Sequence, residues 1–256
     1  MIYGLYLSAQ GAQAQSSRLD VVANNLANAS TTAFKRDLAL FQAHAPERNP
    51  AEGEPPEPLE HATGGVSLAG VVTDFRDGPL VQTGGPLDIA LRGPGFFVVS
   101  DGTQQFLTRN GQLVRDASGR LVLQDTGHAL LNTAGLPIQV PEEAVRLEIV
   151  PDGTVVAVNS DGTRSELGRI DVVMPKSLRE LKKVGNSLYR PTGQTVSLSQ
   201  TGGFQIRQGF LEGSDVQPIR EMMELIEASR AFEANLNLIR TQDETLGQLL
   251  QSAGRV

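Results

Sequence analysis

The sequence contains no cysteine and no tryptophan, and aromatic side chains make up only 5 % of its 256 residues. Without cysteine, the chain can have no disulfide framework, no thiolate metal site and no thiol nucleophile. No apolar run approaches the roughly 20 residues that cross a bilayer, so we expect no membrane insertion. Because apolar residues make up only 39 % of the chain, we do not expect one core to pack the whole chain into a single compact domain.

Basic residues are also scarce, with 22 Lys and Arg against 29 Asp and Glu and a net charge of −7. This acidity argues against nucleic-acid binding, which requires a basic surface. Residues 1–15 carry no Lys or Arg, whereas a secretory signal begins with a positively charged segment followed by a longer apolar stretch. We therefore expect any export to proceed without a cleaved signal peptide.

The sequence shows no pattern typical of catalysis. His44, His61 and His128 are widely separated, and none has a second ligand at the spacing that zinc sites use. The glycine-rich stretch at residues 93–95 precedes a strand pattern rather than a helix, so a turn is the better interpretation than a phosphate loop. The nucleophile motif G-x-S-x-G is absent. We predict no enzyme activity, no cofactor and no metal.

The first 33 residues predict an amphipathic helix. They contain no proline, and an apolar stripe recurs at steps of four and three residues. Its members are mostly small: Leu5, Ala9, Ala12, Ser16, Leu19, Ala23 and Leu26, widened by Val22 and Ala29. Small contact residues allow another helix to approach closely.

The C-terminal segment from 216 to 252 predicts a second long helix. Ser214 or Asp215 can cap its start, and Pro218 falls in the first turn, where its missing N–H costs little. A heptad template fits the segment, with seven apolar residues at the nine positions Met222, Leu225, Ser229, Phe232, Leu236, Ile239, Asp243, Leu246 and Leu250. Chance at the chain's composition gives about half that number, so the template indicates a helix with a face to bury.

Between the helical segments the pattern changes twice. Residues 45–60 are rich in proline and glutamate, which predicts an extended connector. From residue 66 to 204, short β-prone runs alternate with turn dipeptides that supply the positive φ of tight hairpins. The dipeptides are Asp77-Gly78, Asp101-Gly102, Asn110-Gly111, Asp152-Gly153 and Asp161-Gly162.

The predicted fold class is therefore α+β. Long N- and C-terminal helices form a coiled-coil-like stalk, and a mainly antiparallel β-domain lies between them in the sequence. The expected divisions are an N-terminal helix at 1–36, a connector at 37–80, a β-domain at 81–204 and a C-terminal helix at 205–256.

The stretch Val21-Val22-Ala23-Asn24-Asn25-Leu26-Ala27-Asn28-Ala29-Ser30-Thr31-Thr32-Ala33-Phe34-Lys35 resembles the N-terminal signature of the flagellar rod, hook and hook-associated protein family. Ala33 stands where that family usually has Gly. The C-terminal helix and its approach, from Leu211-Glu212-Gly213-Ser214 to Ser229-Arg230-Ala231-Phe232-Glu233-Ala234, resemble the closing segment of the same family. In the middle, residues 83–91, Gly95-Phe96-Phe97 and Thr108-Arg109-Asn110-Gly111 are similar to the start of its β-domain.

The resemblance covers nearly the full length and implies a structural subunit of the basal-body rod, polymerising through its terminal helices into the helical drive shaft of the motor. The implied partners are copies of itself, other axial rod and hook subunits, and the flagellar type III export apparatus. The chain length favours a rod protein over the hook and hook-associated proteins. Leu211-Glu212-Gly213-Ser214 followed by Val216-Gln217-Pro218 resembles the proximal rod protein more than the distal one. The distal rod protein or another rod or hook axial protein is the alternative. A different class, a monomeric ligand-binding β-domain with a helical lid, also fits the predicted elements.

We expect the assembly interface to follow the two helices and the signature. Asn24 or Asn25 would fix helix register, and Asn28 would cap the helix; an alternative is that all the asparagines only end it. The expected interface residues are Leu5, Ala12, Leu19, Val22, Asn24, Asn25, Leu26, Asn28, Phe34, Met222, Leu225, Phe232, Leu236, Ile239, Leu246 and Leu250.

Overall fold

A computed structural model of the chain describes residues 2–44, 64–199 and 202–253. It divides into two compact units. The helical unit comprises Met1–Ala27, Asp37–Asp74 and Val216–Val256, and the β-unit comprises Asn28–Arg36 and Phe75–Asp215. The observed class is α+β, with an N-terminal helix, a C-terminal helix and a central antiparallel β region.

The helical unit contains helix α1 (Ile2–Ala27), helix α2 (Pro218–Ala253) and the strands β1 (Asp37–Ala43) and β2 (Val66–Thr73). Helix α2 begins at Pro218, so this proline occupies the first turn as predicted. Over the part of the chain that the structure describes, neither helix combines the length and apolarity that a membrane crossing requires.

Helix α1 ends at Ala27 rather than near residue 33. The next residue, Asn28, accepts two local hydrogen bonds from Thr31. The Thr31 amide donates to the Asn28 carbonyl over 3.1 Å, and the Thr31 hydroxyl donates to the Asn28 side chain over 3.1 Å. Such local bonds compete with the helical pattern and end it.

The range 37–80, expected to be an extended connector, contains the antiparallel pair β1–β2. Strand β1 is rich in apolar residues and β2 in β-branched residues, and both kinds of side chain pack well on a pleated surface. The proline- and glutamate-rich stretch at 45–60 lies outside the described residues.

Among its described residues, the β-unit contains sixteen further strands and one short 3₁₀-helix, Leu178–Glu180. The strands are β3 (Leu80–Gln82), β4 (Ile89–Arg92), β5 (Phe96–Ser100), β6 (Gln105–Thr108), β7 (Leu113–Arg115), β8 (Leu121–Leu123), β9 (Ala129–Leu130), β10 (Ala144–Ile149), β11 (Thr154–Asn159), β12 (Arg164–Arg169), β13 (Val172–Pro175), β14 (Leu181–Gly185), β15 (Leu188–Pro191), β16 (Thr195–Ser197), β17 (Gln205–Gln208) and β18 (Phe210–Glu212). The last two lie within the range 205–256 expected to be helical.

The strands form one large sheet, ordered β14-β15-β6-β5-β9-β8-β7 with β13 and β16 attached, and a smaller sheet, β10-β11-β12. Two pairs join distant parts of the chain, since β17 pairs with β4 and β18 with β3. The main core packs side chains from most of these strands, including the fully buried Ile89, Phe97, Leu121 and Leu130. The β-unit therefore closes only when residues 205–212 return to its first strands.

Three of the five predicted turn glycines have positive φ: Gly102 at 96°, Gly153 at 95° and Gly162 at 80°. Gly78 and Gly111 do not have positive φ, and a side chain is excluded at these two positions for a different reason. A Cβ on Gly111 would collide with the carbonyl oxygen of Ile89, and one on Gly78 with that of Gly213. These two glycines permit close backbone approach.

The carboxylate of Asp101 organises the turn between β5 and β6. It accepts the Gln104 amide over 2.7 Å, the Thr103 amide over 2.8 Å and the Thr103 hydroxyl over 2.8 Å. These hydrogen bonds favour the charged form, that from Gln104 most, and lower the pKa of Asp101 to about 2.

A carboxyl NMR titration of the folded protein should therefore give a pKa near 2 for Asp101. Because the folded-state pKa is lowered, the turn stabilises the protein above the ordinary carboxyl pKa of 3.8 and loses this contribution as the pH falls through about 2. A measured pKa at the ordinary value would contradict the three hydrogen bonds.

Candidate assembly interface

Helices α1 and α2 lie side by side and antiparallel within the helical unit. Gly4 lies opposite Gln242, since a Cβ on Gly4 would be 3.1 Å from the Gln242 Nε2 atom. Gly11 lies opposite Asn235, since a Cβ there would be 2.8 Å from Asn235 Oδ1. Further along, Asn25 lies opposite Glu221. On each helix these three contact positions are separated by seven residues or a multiple of seven.

The face of α2 that is covered is shifted from the predicted heptad. Its most buried members are Glu221 and Ala228, both fully buried. Half-buried residues continue the same row at alternating steps of four and three: Leu225, Phe232, Asn235, Ile239, Gln242 and Leu246. Four predicted positions belong to this row, Leu225, Phe232, Ile239 and Leu246, whereas Met222 and Leu250 lie outside it and are exposed.

The shift follows from the size of the residues on α1. The glycines at positions 4 and 11 leave room for the polar side chains of Gln242 and Asn235. The polar side chains of Gln242 and Asn235 therefore occupy contact positions that the predicted apolar heptad did not include.

The structure places the remaining expected interface residues as follows. On α1, Ala12, Val22 and Asn25 are buried, Leu5, Leu19 and Leu26 are half-buried, and Asn24 is exposed. Leu236 on α2 is half-buried. Asn28 is half-buried and Phe34 is buried, but both belong to the β-unit. The expected set is thus divided between the two units.

Asn25 anchors the chain where it returns to the helical unit at strand β1. Its side-chain NH₂ group donates to the Asp37 carbonyl over 2.8 Å and to Glu221 Oε2 over 3.3 Å. Its carbonyl oxygen accepts the Asp37 amide over 2.9 Å. Because Asn25 is only 1 % exposed, these bonds satisfy a buried amide and connect α1, β1 and α2.

Several large apolar side chains of the helical unit remain exposed. On α2 these are Ile219, Met222, Met223, Ile226, Leu238, Leu249 and Leu250, and on α1 they are Tyr3 and Tyr6. Both strands of the β1–β2 pair add more: Leu40, Phe41, Val66, Leu68, Val71 and Val72. These side chains make the helical unit a candidate surface for association.

Ala33 makes a turn in the signature segment that normally needs glycine. Its φ is 54°, in the left-handed region, and it is fully buried. Its amide donates to the Glu212 carbonyl over 2.8 Å. Alanine, with a single methyl group, tolerates this conformation at a cost of about 1–2 kcal/mol.

Next to this turn, Lys35 and Glu212 form a buried ion pair in the β-unit. Lys35 Nζ lies 2.6 Å from Glu212 Oε1, and both side chains are 1 % exposed. Lys35 also donates to the Arg76 carbonyl, and Glu212 Oε1 accepts the Gly78 amide over 3.0 Å. Each buried charge thus has an opposite charge and further hydrogen bonds, as a buried pair requires.

Arg109 extends this charge cluster. Its Nη1 atom lies 3.4 Å from Glu212 Oε2 and 3.4 Å from Asp77 Oδ1, and its Nη2 donates to the Gly93 carbonyl over 2.8 Å. The guanidinium also stacks on Phe96, with 5.4 Å from its carbon to the ring centroid. Two cations and two carboxylates balance, so the cluster has no net charge.

Sequence reasoning missed Lys35, Arg109, Glu212 and Glu221 as structural residues. Lys35, Arg109 and Glu212 stand within the quoted family motifs, but nothing in a single sequence distinguishes a buried charge from a solvated one. These three residues stand next to apolar β-prone runs, where a buried charge needs a partner, but this position alone does not establish burial.

Replacement of Ala33 tests the left-handed turn. Ala33→Val should lower the free energy of unfolding by more than about 2 kcal/mol, because a branched side chain adds both left-handed strain and overpacking. Ala33→Gly should stay within about 1 kcal/mol of the parent protein. Urea denaturation measures both, and equal effects of the two substitutions would contradict the turn.

Replacement of Lys35 tests the buried ion pair. Lys35→Met should lower the free energy of unfolding by about 3–5 kcal/mol, because Glu212 then stays buried without its closest cation. Arg120→Met is the control, since Arg120 pairs with Asp116 at 2.8 Å but is 45 % exposed, and it should cost less than about 1 kcal/mol. If chemical denaturation shows similarly small losses of unfolding free energy for both variants, the Lys35 ion pair does not stabilise the fold.

Three family models match the chain. Residues 5–35 match "Flagella basal body rod protein", residues 90–157 match "Flagellar hook protein FlgE/F/G D1 domain", and residues 207–252 match "Flagellar basal body rod FlgEFG protein C-terminal". Together they include the signature segment, strands β5 to β10 of the β-unit and nearly all of helix α2.

Full-length relatives agree with these matches. The chain is 34 % identical to the flagellar basal-body rod protein FlgF of Caulobacter vibrioides, with 98 % of each chain covered. It is 33 % identical to FlgF of Salmonella typhimurium and 31 % identical to the rod protein FlgG of Bacillus subtilis, again with 98 % of each chain covered. The chain belongs to the family of flagellar basal-body rod proteins.

Proposed function

We propose that this chain is a structural subunit of the flagellar basal-body rod, and that it assembles through its helical unit into the helical drive shaft of the motor. The observation that carries the proposal is the set of large apolar side chains exposed on α1 and α2. In a chain of a rod-protein family, such a surface is suited to burial against neighbouring subunits.

The paired terminal helices would act as a coiled-coil-like stalk. Their seven-residue contact period supports this proposal. Small residues on α1 bring the helices close, and the exposed large apolar side chains of α2 lie outside the row that contacts α1. Packing against helices of neighbouring copies would bury these exposed side chains.

The proposed location is the rod of the basal body, and the partners are copies of this chain and other axial subunits of the rod and hook. The type III export apparatus of the flagellum is the proposed route of delivery. Within the rod we assign the chain to the proximal part, because Leu211-Glu212-Gly213-Ser214 followed by Val216-Gln217-Pro218 resembles the proximal rod protein. The position of a tagged copy in isolated basal bodies, determined by electron microscopy, tests this assignment.

The alternative of a monomeric ligand-binding module is not favoured by the relatives, which are named as rod proteins. Size-exclusion chromatography and electron microscopy of concentrated protein separate the two functions. Filaments or short tubes support the rod subunit, whereas a protein that stays monomeric at every concentration supports the ligand-binding module.

A charge on the exposed face of α2 should block assembly without unfolding the chain. Met222 is 45 % exposed, so Met222→Asp should leave the circular dichroism spectrum and the unfolding midpoint nearly unchanged. It should abolish assemblies in electron micrographs and motility in cells that rely on this protein.

Asn237→Asp is the matched control, because it adds the same charge at an exposed polar position of the same helix. The control should assemble normally. Normal assembly of Met222→Asp would show that this face of α2 is not an interface.

A further inference from the structure

The exposed apolar side chains of the helix pair are concentrated at its two opposite ends. At one end, Ile219, Met222, Met223 and Ile226 lie on the first turns of α2, at the spacing of a single helix face. We call these four residues the α2-start patch. At the other end, Tyr3 and Tyr6 lie one helical turn apart on α1 and are 51 % and 56 % exposed. We call these two residues the α1-start patch.

The antiparallel register fixes the separation of the two patches. Gly4 lies opposite Gln242 and Asn25 lies opposite Glu221. Met223 is therefore level with residues near position 23 of α1, whereas Tyr6 is some 17 residues further along. At 1.5 Å per residue the two side chains are about 25 Å apart within one molecule.

The two patches differ in shape. The α2-start patch borders an open concavity of about 560 Å³, with walls from Val216, Pro218, Ile219 and Met223 and a rim that includes Glu227. The Glu227 side chain is 71 % exposed. The α1-start patch instead presents a projecting tyrosine, whose ring is apolar and whose hydroxyl donates hydrogen bonds. An apolar wall beside a carboxylate acceptor fits that side chain.

We propose that the α2-start patch of one copy receives the α1-start patch of the next copy, with Tyr6 seated in the concavity. The proposal rests on the proposed function, because an open polymer requires two different complementary surfaces on each subunit. Contact between identical patches of two copies would instead close the assembly as a dimer. Two unlike patches at opposite ends of one helix pair satisfy the requirement for continued growth.

Disulfide trapping tests the contact, because the chain has no native cysteine. The chain carrying both Tyr6→Cys and Met223→Cys is concentrated, oxidised with a mild copper oxidant and run on a non-reducing gel. A disulfide needs the two Cα atoms within about 7 Å, so the two positions cannot join within one molecule. The expected result is a series of dimers, trimers and longer multimers, and a mixture of the two single variants should give only mixed dimers.

The control pairs Tyr6→Cys with Asp20→Cys, an exposed polar position of α1 near the same end as Met223, and it should give no multimer series. Electron microscopy and circular dichroism of each reduced sample report assembly and folding. Folded assemblies without a link between positions 6 and 223, or with links only between identical positions, overturn this contact and leave the rod function standing. Folded chains that form neither assemblies nor links overturn both.

Discussion

The ion pair between Lys35 and Glu212 joins two segments that are 177 residues apart in the sequence. Around it, the Ala33 amide donates to the Glu212 carbonyl, and the Asp215 amide donates to the Phe34 carbonyl over 3.1 Å. The segment that follows α1 and the segment that precedes α2 therefore run side by side within the β-unit. Because a half-made buried pair is unfavourable, both segments must be in place together, and the β-unit closes cooperatively.

The helix pair is stabilised differently from this charged cluster. Its contacts combine glycine, alanine and amide side chains with a few half-buried apolar residues, so it buries much less apolar surface than the core of the β-unit. Asn25 adds specificity rather than hydrophobic stabilisation, since its three hydrogen bonds admit only one register of α1 against β1 and α2. A weakly buried pair with a fixed register is suited to a subunit that completes its packing with neighbours.

Much of the fold could be predicted from local pattern. The proline of α2, the strand Phe96–Ser100 and three of the four Asp-Gly turns follow from backbone preferences that act within a few residues. The shifted contact row of α2 could not be predicted, because it depends on glycines of a helix far away in the sequence. The burial of Lys35 likewise depends on a carboxylate that only the tertiary fold supplies.

The adjacent segments at Phe34 and Asp215 also bear on how such chains diversify. The polypeptide enters and leaves the β-unit through these neighbouring segments. The β-unit is therefore an insertion into the sequence of the helical unit. Its strands can be lengthened, shortened or exchanged while the two junction segments keep their spacing. Selection on the surface of the β-unit can thus proceed separately from selection on the helical sequences, which must keep the contact register of α1 against α2.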